Sequence, residues 1–226
     1  MSDRSVARRY AQQALTAGDP MGWFERLYQA AERGQATVPW ADLRPNPHLL
    51  AWATRQQLQG AGRAALVVGC GLGDDAEALA DLGFAVTAFD IAATAIARCR
   101  ARFAGSPVRY QVGDLLAPPA HWRHAFAFVF EAYTLQVLVG DVRRQAISRL
   151  AELVAPGGRL LVVTRGRSEL DPPGAMPWPL TPAELDQFTR EGLELVAIKD
   201  YLDDEDPPVR RLQAHYHAPA PPQPLT

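Results

Sequence analysis

The sequence predicts an α/β fold, a parallel sheet covered on both faces and preceded by a helical cap. Apolar strand-like runs alternate with helical stretches between Ala64 and Thr164, the signature of repeated βαβ units. The strand runs are rich in Val, Leu and Phe and do not alternate with polar residues, as expected where both faces are buried. The first run, Ala64-Ala65-Leu66-Val67-Val68, ends in glycines at Gly69, Gly71 and Gly73 just before a helical pattern.

Residues 1–60 are mostly helical in pattern. Trp23, Phe24, Leu27 and Tyr28 recur at helical spacing and share one face. Pro39-Trp40 and Pro45-Asn46-Pro47 mark a loop, and Leu49, Leu50, Ala53, Gln57 and Leu58 suggest a further helix to Gly60. This segment is too short to bury its own core, so it is expected to cap the sheet within a single domain of residues 1–217. Strands are expected at 64–69, 85–90, 107–112, 125–131 and 158–164, and helices at 74–82, 92–103 and 141–154. Pro156-Gly157-Gly158 is a turn signal before the fifth strand. Residues 168–180 hold five prolines and glycines and should form a loop. Thr181-Pro182-Ala183-Glu184 is a capping box with proline at the first helical position, starting a helix to about Arg190. Leu193 to Leu202 and Val209 to Tyr216 predict a hairpin around the acidic turn Asp203–Pro208, which adds one antiparallel strand. Residues 218–226 are a proline-rich tail with little reason to fold.

Composition narrows the function classes. The chain has 226 residues, 48% of them hydrophobic, enough for one large domain with a real core. A net charge of −2 leaves no electrostatic footprint for nucleic acid. No apolar run approaches the about 20 residues needed to span a bilayer. The N-terminus lacks the apolar core of a signal peptide, and Cys70 and Cys99 form no zinc or CxxC spacing, so a reducing cytoplasm is expected. No metal site is expected. His121, His124, His215 and His217 have no Cys or carboxylate at matching spacing and are expected to be structural or solvated.

The glycine turn is a cradle for a nucleotide-like cofactor, and its charge says which. A pyrophosphate is usually held at a helix N-terminus, where backbone N–H groups favour an anion. Here Asp74 and Asp75 occupy that spot. They repel a pyrophosphate but not S-adenosylmethionine, which has no phosphate and carries a sulfonium and an amino group. Asp74 or Asp75 is also expected to cap the helix. Asp90 closes the second strand and either accepts hydrogen bonds from the ribose hydroxyls or caps the helix over 92–103. Ile91 beside it suits one face of an adenine. Gly113-Asp114-Leu115 closes the third strand, where the Asp114 carboxylate suits the adenine amino group and the Leu115 N–H the ring. Glu131 ends the fourth strand, at the rim where ligands sit in such sheets. It is a candidate partner for the cofactor's amino group or a general base for the acceptor proton. Tyr133 and Gln136 follow into the same region.

GCGLGDD at 69–75, FDI at 89–91, GDL at 113–115, EAYTL at 131–135 and APGGRLLVV at 155–163 together resemble the class I S-adenosylmethionine-dependent methyltransferases, over roughly Ala64 to Thr164. The resemblance implies a Rossmann-like, doubly wound seven-stranded sheet in the order 3-2-1-4-5-7-6 with strand seven antiparallel. It implies S-adenosyl-L-methionine as cofactor, bound through Gly69, Cys70, Gly71, Gly73, Asp90, Ile91, Gly113, Asp114, Leu115 and Glu131. S-Adenosyl-L-homocysteine is the implied product and a small S- or O-nucleophile (thiol, phenol or quinol) the implied acceptor. WFERLYQ at 23–29, VPW at 38–40 and NPHL at 46–49 look like the cap of the thiol, thiopurine and halide methyltransferase branch. Carried over, Trp40 covers the sulfonium by a cation–π contact, and Trp23 and Tyr28 build or border the lid. The chain departs from that branch at Glu131-Ala132, where the branch has an Asp-Arg pair, which puts thiol and halide acceptors in doubt. Trp23, Arg165, Arg167, Met176 and Trp178 are candidates for the acceptor side, one of Arg165 and Arg167 for a substrate carboxylate. Glu131 and Tyr133 are the candidate catalytic residues. Two other classes fit less well. A cofactor-binding subunit without turnover shares the glycine turn. A nicotinamide oxidoreductase needs a phosphate site and a Tyr-x-x-x-Lys set, and the chain has a single lysine, Lys199.

Overall fold

The structure, a computed structural model, describes residues 4–220. In chain order its elements are α1 (Ser5–Thr16), α2 (Trp23–Glu32), α3 (Pro47–Arg55), β1 (Ala64–Val68), α4 (Asp74–Asp81), β2 (Ala85–Asp90), α5 (Ala93–Arg102), β3 (Arg109–Val112), β4 (Phe126–Ala132), α6 (Gly140–Leu153), β5 (Val154–Arg165), α7 (Pro182–Leu185), α8 (Gln187–Arg190), β6 (Glu194–Leu202) and β7 (Arg210–His217). Single 3-10 turns occur at Ala120–Trp122 and Leu135–Val137. The strands form one sheet in the order β3-β2-β1-β4-β5-β7-β6. β7 runs antiparallel to both β5 and β6. This is the order and direction that the family resemblance implies. Among the described residues, contacts group the chain into two compact units, residues 4–62 with 69–114, and 63–68 with 115–220.

The first unit holds the cap helices with α4, β2, α5 and β3. α1 buries only Ala7, Ala11 and Ala14, a small-residue face that lets it lie close to α2. α2 buries Trp23, Phe24, Leu27, Tyr28 and Ala30, the face expected from their spacing. α3 starts at Pro47 because Asn46 caps it, its side chain accepting from the His48 N–H at 2.9 Å. It ends at Arg55, short of the expected Gly60. β2 pairs in parallel with β3, Asp90 standing opposite Val112.

The second unit is built on β1, β4, β5, β7 and β6. β4 pairs in parallel with β1 and β5, and Glu131 stands between Val68 and Val162. The Pro156-Gly157-Gly158 turn does not precede β5 but interrupts it. Phe126 pairs with Val154 and Phe128 with Arg159, so the extra residues loop out of register. The capping box is formed, the Thr181 N–H donating to Glu184 Oε2 at 2.9 Å and the Glu184 N–H to Thr181 Oγ at 3.2 Å. The expected helix to Arg190 is instead two four-residue helices broken at Asp186. The expected hairpin is present, although β6 is exposed along nearly its whole length. Ala218, expected in the tail, is buried and pairs with Gly157 and Gly158. Residues 221–226 of that tail lie outside the described residues.

Candidate functional site

In the first unit the glycine turn and the end of β2 are tied together. Gly69, Gly71 and Gly73 have left-handed φ angles of 58°, 55° and 93°. The Cys70 N–H donates to the Phe89 carbonyl at 2.9 Å, and the Gly71 N–H to Asp90 Oδ2 at 3.0 Å. The other oxygen, Oδ1, accepts from the Ala92 N–H at 2.9 Å. Burial lifts the Asp90 carboxyl to about 6 even though these backbone N–H groups hold it down. Backbone N–H groups of Gly71 and Ala92 engage both Asp90 oxygens, the Ile91 N–H also favours the charged form, and the carboxylate keeps acceptor capacity for a donor such as a hydroxyl. The expected alternative, Asp90 as N-cap of the next helix, is corrected: Ala92 is the N-cap of α5. The cap role falls to Glu25 of α2, which accepts from the Thr94 N–H at 3.0 Å and the Thr94 hydroxyl at 2.7 Å.

Two aromatic residues of the cap stand over the same turn. A Cβ on Gly71 would lie 3.2 Å from the Tyr28 hydroxyl and 3.8 Å from Trp40. Only glycine leaves that space open. The Trp40 indole N–H donates to the Tyr28 hydroxyl at 2.9 Å. Trp23 is 1% exposed, stacked on Phe24 at 4.1 Å and edge-on to Trp40 at 5.9 Å. Its surface is used inside the cap. A Cβ on Gly73 would lie 2.7 Å from the Tyr110 hydroxyl. Ile91 and Asp114 are half-buried, and the Gly113 N–H donates to the Asp90 carbonyl at 3.0 Å. The Cys70 thiol is held neutral by a hydrogen bond with Cys99 and by burial, so it behaves as a packing group.

Asp74 and Asp75 do not cap α4. Gly73 is its N-cap, and both carboxylates belong to the first turn. Asp74 is clasped by the Arg102 guanidinium, both contacts at 2.8 Å, while Arg102 also donates to the Leu72 carbonyl. Asp75 accepts from the Asn46 N–H at 2.6 Å, and burial lifts its carboxyl to about 6. Some of the nearby amides are spent within the turn: the Gly73 N–H donates to the Cys70 carbonyl, and the Ala76 and Glu77 N–H groups to the Gly73 carbonyl. Arg102 neutralises Asp74, so the repulsion expected of a pyrophosphate falls chiefly to Asp75.

In the second unit Glu131 is fully buried. Its Oε1 accepts from the Thr134 N–H at 2.6 Å and the Leu135 N–H at 3.0 Å, while Oε2 has no hydrogen-bond partner among the described residues. Burial raises its carboxyl to about 7, against the pull of those N–H groups and of Arg143. Tyr133 follows with φ 68°, a left-handed conformation rare for a bulky residue, its N–H donating to Val163 at 3.0 Å. Gln136 is structural: its side chain accepts from the Arg165 N–H at 2.7 Å, and its carbonyl from the Trp178 N–H at 2.6 Å.

The Arg165 guanidinium pairs with Glu205 at 3.7 Å. Arg167 is bound to Glu184 and to the Pro179 carbonyl, which makes it a clamp on the 168–180 loop. Trp178 is half-buried, and Met176 is buried rather than presented to solvent. Leu115 is buried as well.

Sequence reasoning missed Arg102, Arg143 and Arg211. Each is an arginine whose acidic partner lies 28, 41 and 8 residues away in the chain. Only the acidic turn at 203–208 offered a signal, and only for Arg211. Among the described residues no group of three or more His, Cys, Asp or Glu could hold a metal ion, and no helix is long and apolar enough to cross a membrane.

Residues 65–158 match a family model described as "Methyltransferase domain". Uncharacterized methyltransferases of Mycobacterium bovis and Mycobacterium tuberculosis are 39% identical over 99 residues, a match covering 44% of this chain and 49% of theirs. The match therefore spans about half the length of those relatives. Among solved structures, one reported for the conversion of a disulfide bond into a thioacetal group during echinomycin biosynthesis has TM-score 0.71 at 22% identity, covering 87% of this chain and 93% of that one. The N-methyltransferase NodS of Bradyrhizobium japonicum, in complex with S-adenosyl-L-homocysteine, has TM-score 0.63 at 23% identity, covering 85% and 98%. The [4+2]-cyclase SpnF has TM-score 0.63 at 17% identity, covering 77% and 81%. At these identities the likeness establishes the fold, which carries more than one chemistry.

Proposed function

We propose that the chain binds S-adenosyl-L-methionine and methylates a small molecule, since its sheet has the order β3-β2-β1-β4-β5-β7-β6 and residues 65–158 match a methyltransferase domain model. The observation that carries the reading is Asp90: a buried carboxylate at the end of β2, oriented by backbone N–H groups on both oxygens and retaining acceptor capacity for ligand hydroxyls. Gly69, Cys70, Gly71 and Gly73 supply the close backbone approach, Ile91 an adenine face, and Gly113, Asp114 and Leu115 the adenine edge. Trp40 covers the sulfonium, with its ring oriented by Tyr28.

When bound, the cofactor supplies an activated methyl group that is displaced in line by a nucleophile. The chain's residues need only orient the acceptor, exclude water and take a proton. Glu131 is the residue we assign to the proton or to an amino group, because its Oε2 is buried and unpartnered and its carboxyl is poised near neutrality. Tyr133, Arg165 and Trp178 are assigned to the acceptor, with Trp23 backing the Trp40 lid. A thiol, phenol or quinol is the proposed acceptor class.

Calorimetric titration with S-adenosyl-L-homocysteine and NAD tests the reading. Binding of the former and none of the latter is expected; the reverse would exclude it.

A further inference from the structure

Arg165 and Arg211 are direct cross-strand partners on β5 and β7. Like charges placed opposite each other in a sheet repel, so the pair needs an anion. Glu205, in the turn between β6 and β7, provides it. Its Oε2 faces the Arg165 guanidinium at 3.7 Å, and its Oε1 accepts from Arg211 Nη2. One carboxylate therefore bridges two guanidiniums. Arg211 is 3% exposed and its guanidinium lies 4.9 Å from the centre of the Tyr133 ring, the residue held at φ 68°. Strained backbone of that kind clusters at binding and catalytic sites.

The turn does not depend on the Glu205 side chain. Asp203 closes it by accepting from the Glu205 and Val209 N–H groups at 3.1 and 2.9 Å, and it holds Arg211 Nε at 2.6 Å. Glu205 is also the most solvent-exposed member of the cluster, its side chain 46% exposed against 6% for Asp203. Asp203 and Arg211 are framework. Glu205 is a carboxylate seated where another carboxylate fits.

We propose that Arg165 and Arg211 form a recognition site for a carboxylate on the methyl acceptor, with the Tyr133 ring beside it and Glu205 as the intramolecular occupant that the acceptor displaces. The exchange is charge-neutral, one carboxylate for another. It retains the two-guanidinium geometry that gives such contacts their strength. The inference rests on the proposed methyl transfer for its biological meaning, but the site can be probed alone.

The full chain and Glu205→Gln are titrated with benzoate, with uncharged benzamide and with inorganic phosphate. Removing the built-in competitor is expected to tighten benzoate binding about tenfold or more and to leave benzamide unchanged. Adding Arg165→Gln to that variant abolishes the gain. A gain in affinity cannot come from a damaged fold. Equal benzoate affinity in both proteins overturns the site, as does benzamide binding as well as benzoate. Phosphate binding more tightly than benzoate overturns the carboxylate assignment. S-Adenosyl-L-homocysteine titrated into the same preparations separates the two readings. Its failure beside an intact benzoate response counts against the proposed function, and its success beside absent benzoate binding counts against this site alone.

Discussion

The Gly71 amide donates to Asp90 Oδ2 at 3.0 Å, joining the residue at the centre of the glycine turn to the residue that closes β2. A glycine turn and a strand-end carboxylate become one preformed element. With the Ala92 N–H on the other oxygen, the carboxylate is oriented before any ligand arrives, which lowers the ordering cost of binding.

That carboxylate should make binding pH-dependent. Ligand hydroxyls bond best to its ionised form, and burial lifts it to about 6. Affinity for S-adenosyl-L-homocysteine is expected to be constant above about pH 7 and to fall about tenfold by pH 5, one unit below that value. Asp90→Asn should flatten the profile and weaken binding by about 1.5–3 kcal/mol. Calorimetry from pH 5 to 8 checks both; an unchanged affinity removes Asp90 from the site.

Trp40 should distinguish cofactor from product. A face presented to a sulfonium is worth about 0.5–2 kcal/mol, and the homocysteine product lacks that charge. Trp40→Ala is expected to weaken S-adenosyl-L-methionine by about 3–30-fold and the product by clearly less. Equal losses would reduce Trp40 to a packing residue of the cap.

Gly73→Ala should be costly. The added Cβ meets the Tyr110 hydroxyl at 2.7 Å, and φ 93° suits only glycine. The two effects together predict a loss of about 2–4 kcal/mol in urea unfolding. Gly62→Ala, also at positive φ but with open space around its Cβ, should lose less. Similar losses would show that backbone strain alone matters.

Glu131 should lower stability as pH rises. Its carboxyl lies near 7 in the fold and near 4.5 when unfolded, so the fold favours the protonated form. That contribution is complete below about pH 4.5 and is lost as pH rises through about 7, a change on the order of 3 kcal/mol. Glu131→Gln keeps an acceptor for the Thr134 and Leu135 N–H groups and cannot ionise. Its stability should gain on the wild type between pH 5 and 8; parallel curves would contradict the assignment.

The fold was legible where local pattern and burial agree. Val67, Phe128 and Leu161 sit in runs that strand burial demands, and Thr181 to Glu184 formed the capping box that its spacing specifies. Boundaries failed where tertiary contacts decide them. The Pro156–Gly158 turn was absorbed into β5 because Phe126 and Ala218 pair on either side of it, which no local window contains. Of the candidate site, the glycine turn and the strand-end Asp90 were legible because both are local in the sequence, and the structure joins them through the Gly71 N–H. Asp74 and Asp75 were misjudged as caps because their partners, Arg102 and the Asn46 amide, come from distant parts of the chain. The Glu205 bridge was hidden for the same reason: pairing Arg165 with Arg211 requires the β5–β7 register.

A crystal structure with S-adenosyl-L-homocysteine tests the central claim most directly. The account predicts both ribose hydroxyls on the Asp90 carboxylate at about 2.5–2.7 Å, with the Gly71 contact kept. A ribose elsewhere, with Asp90 still bonded only to Gly71 and Ala92, would contradict it.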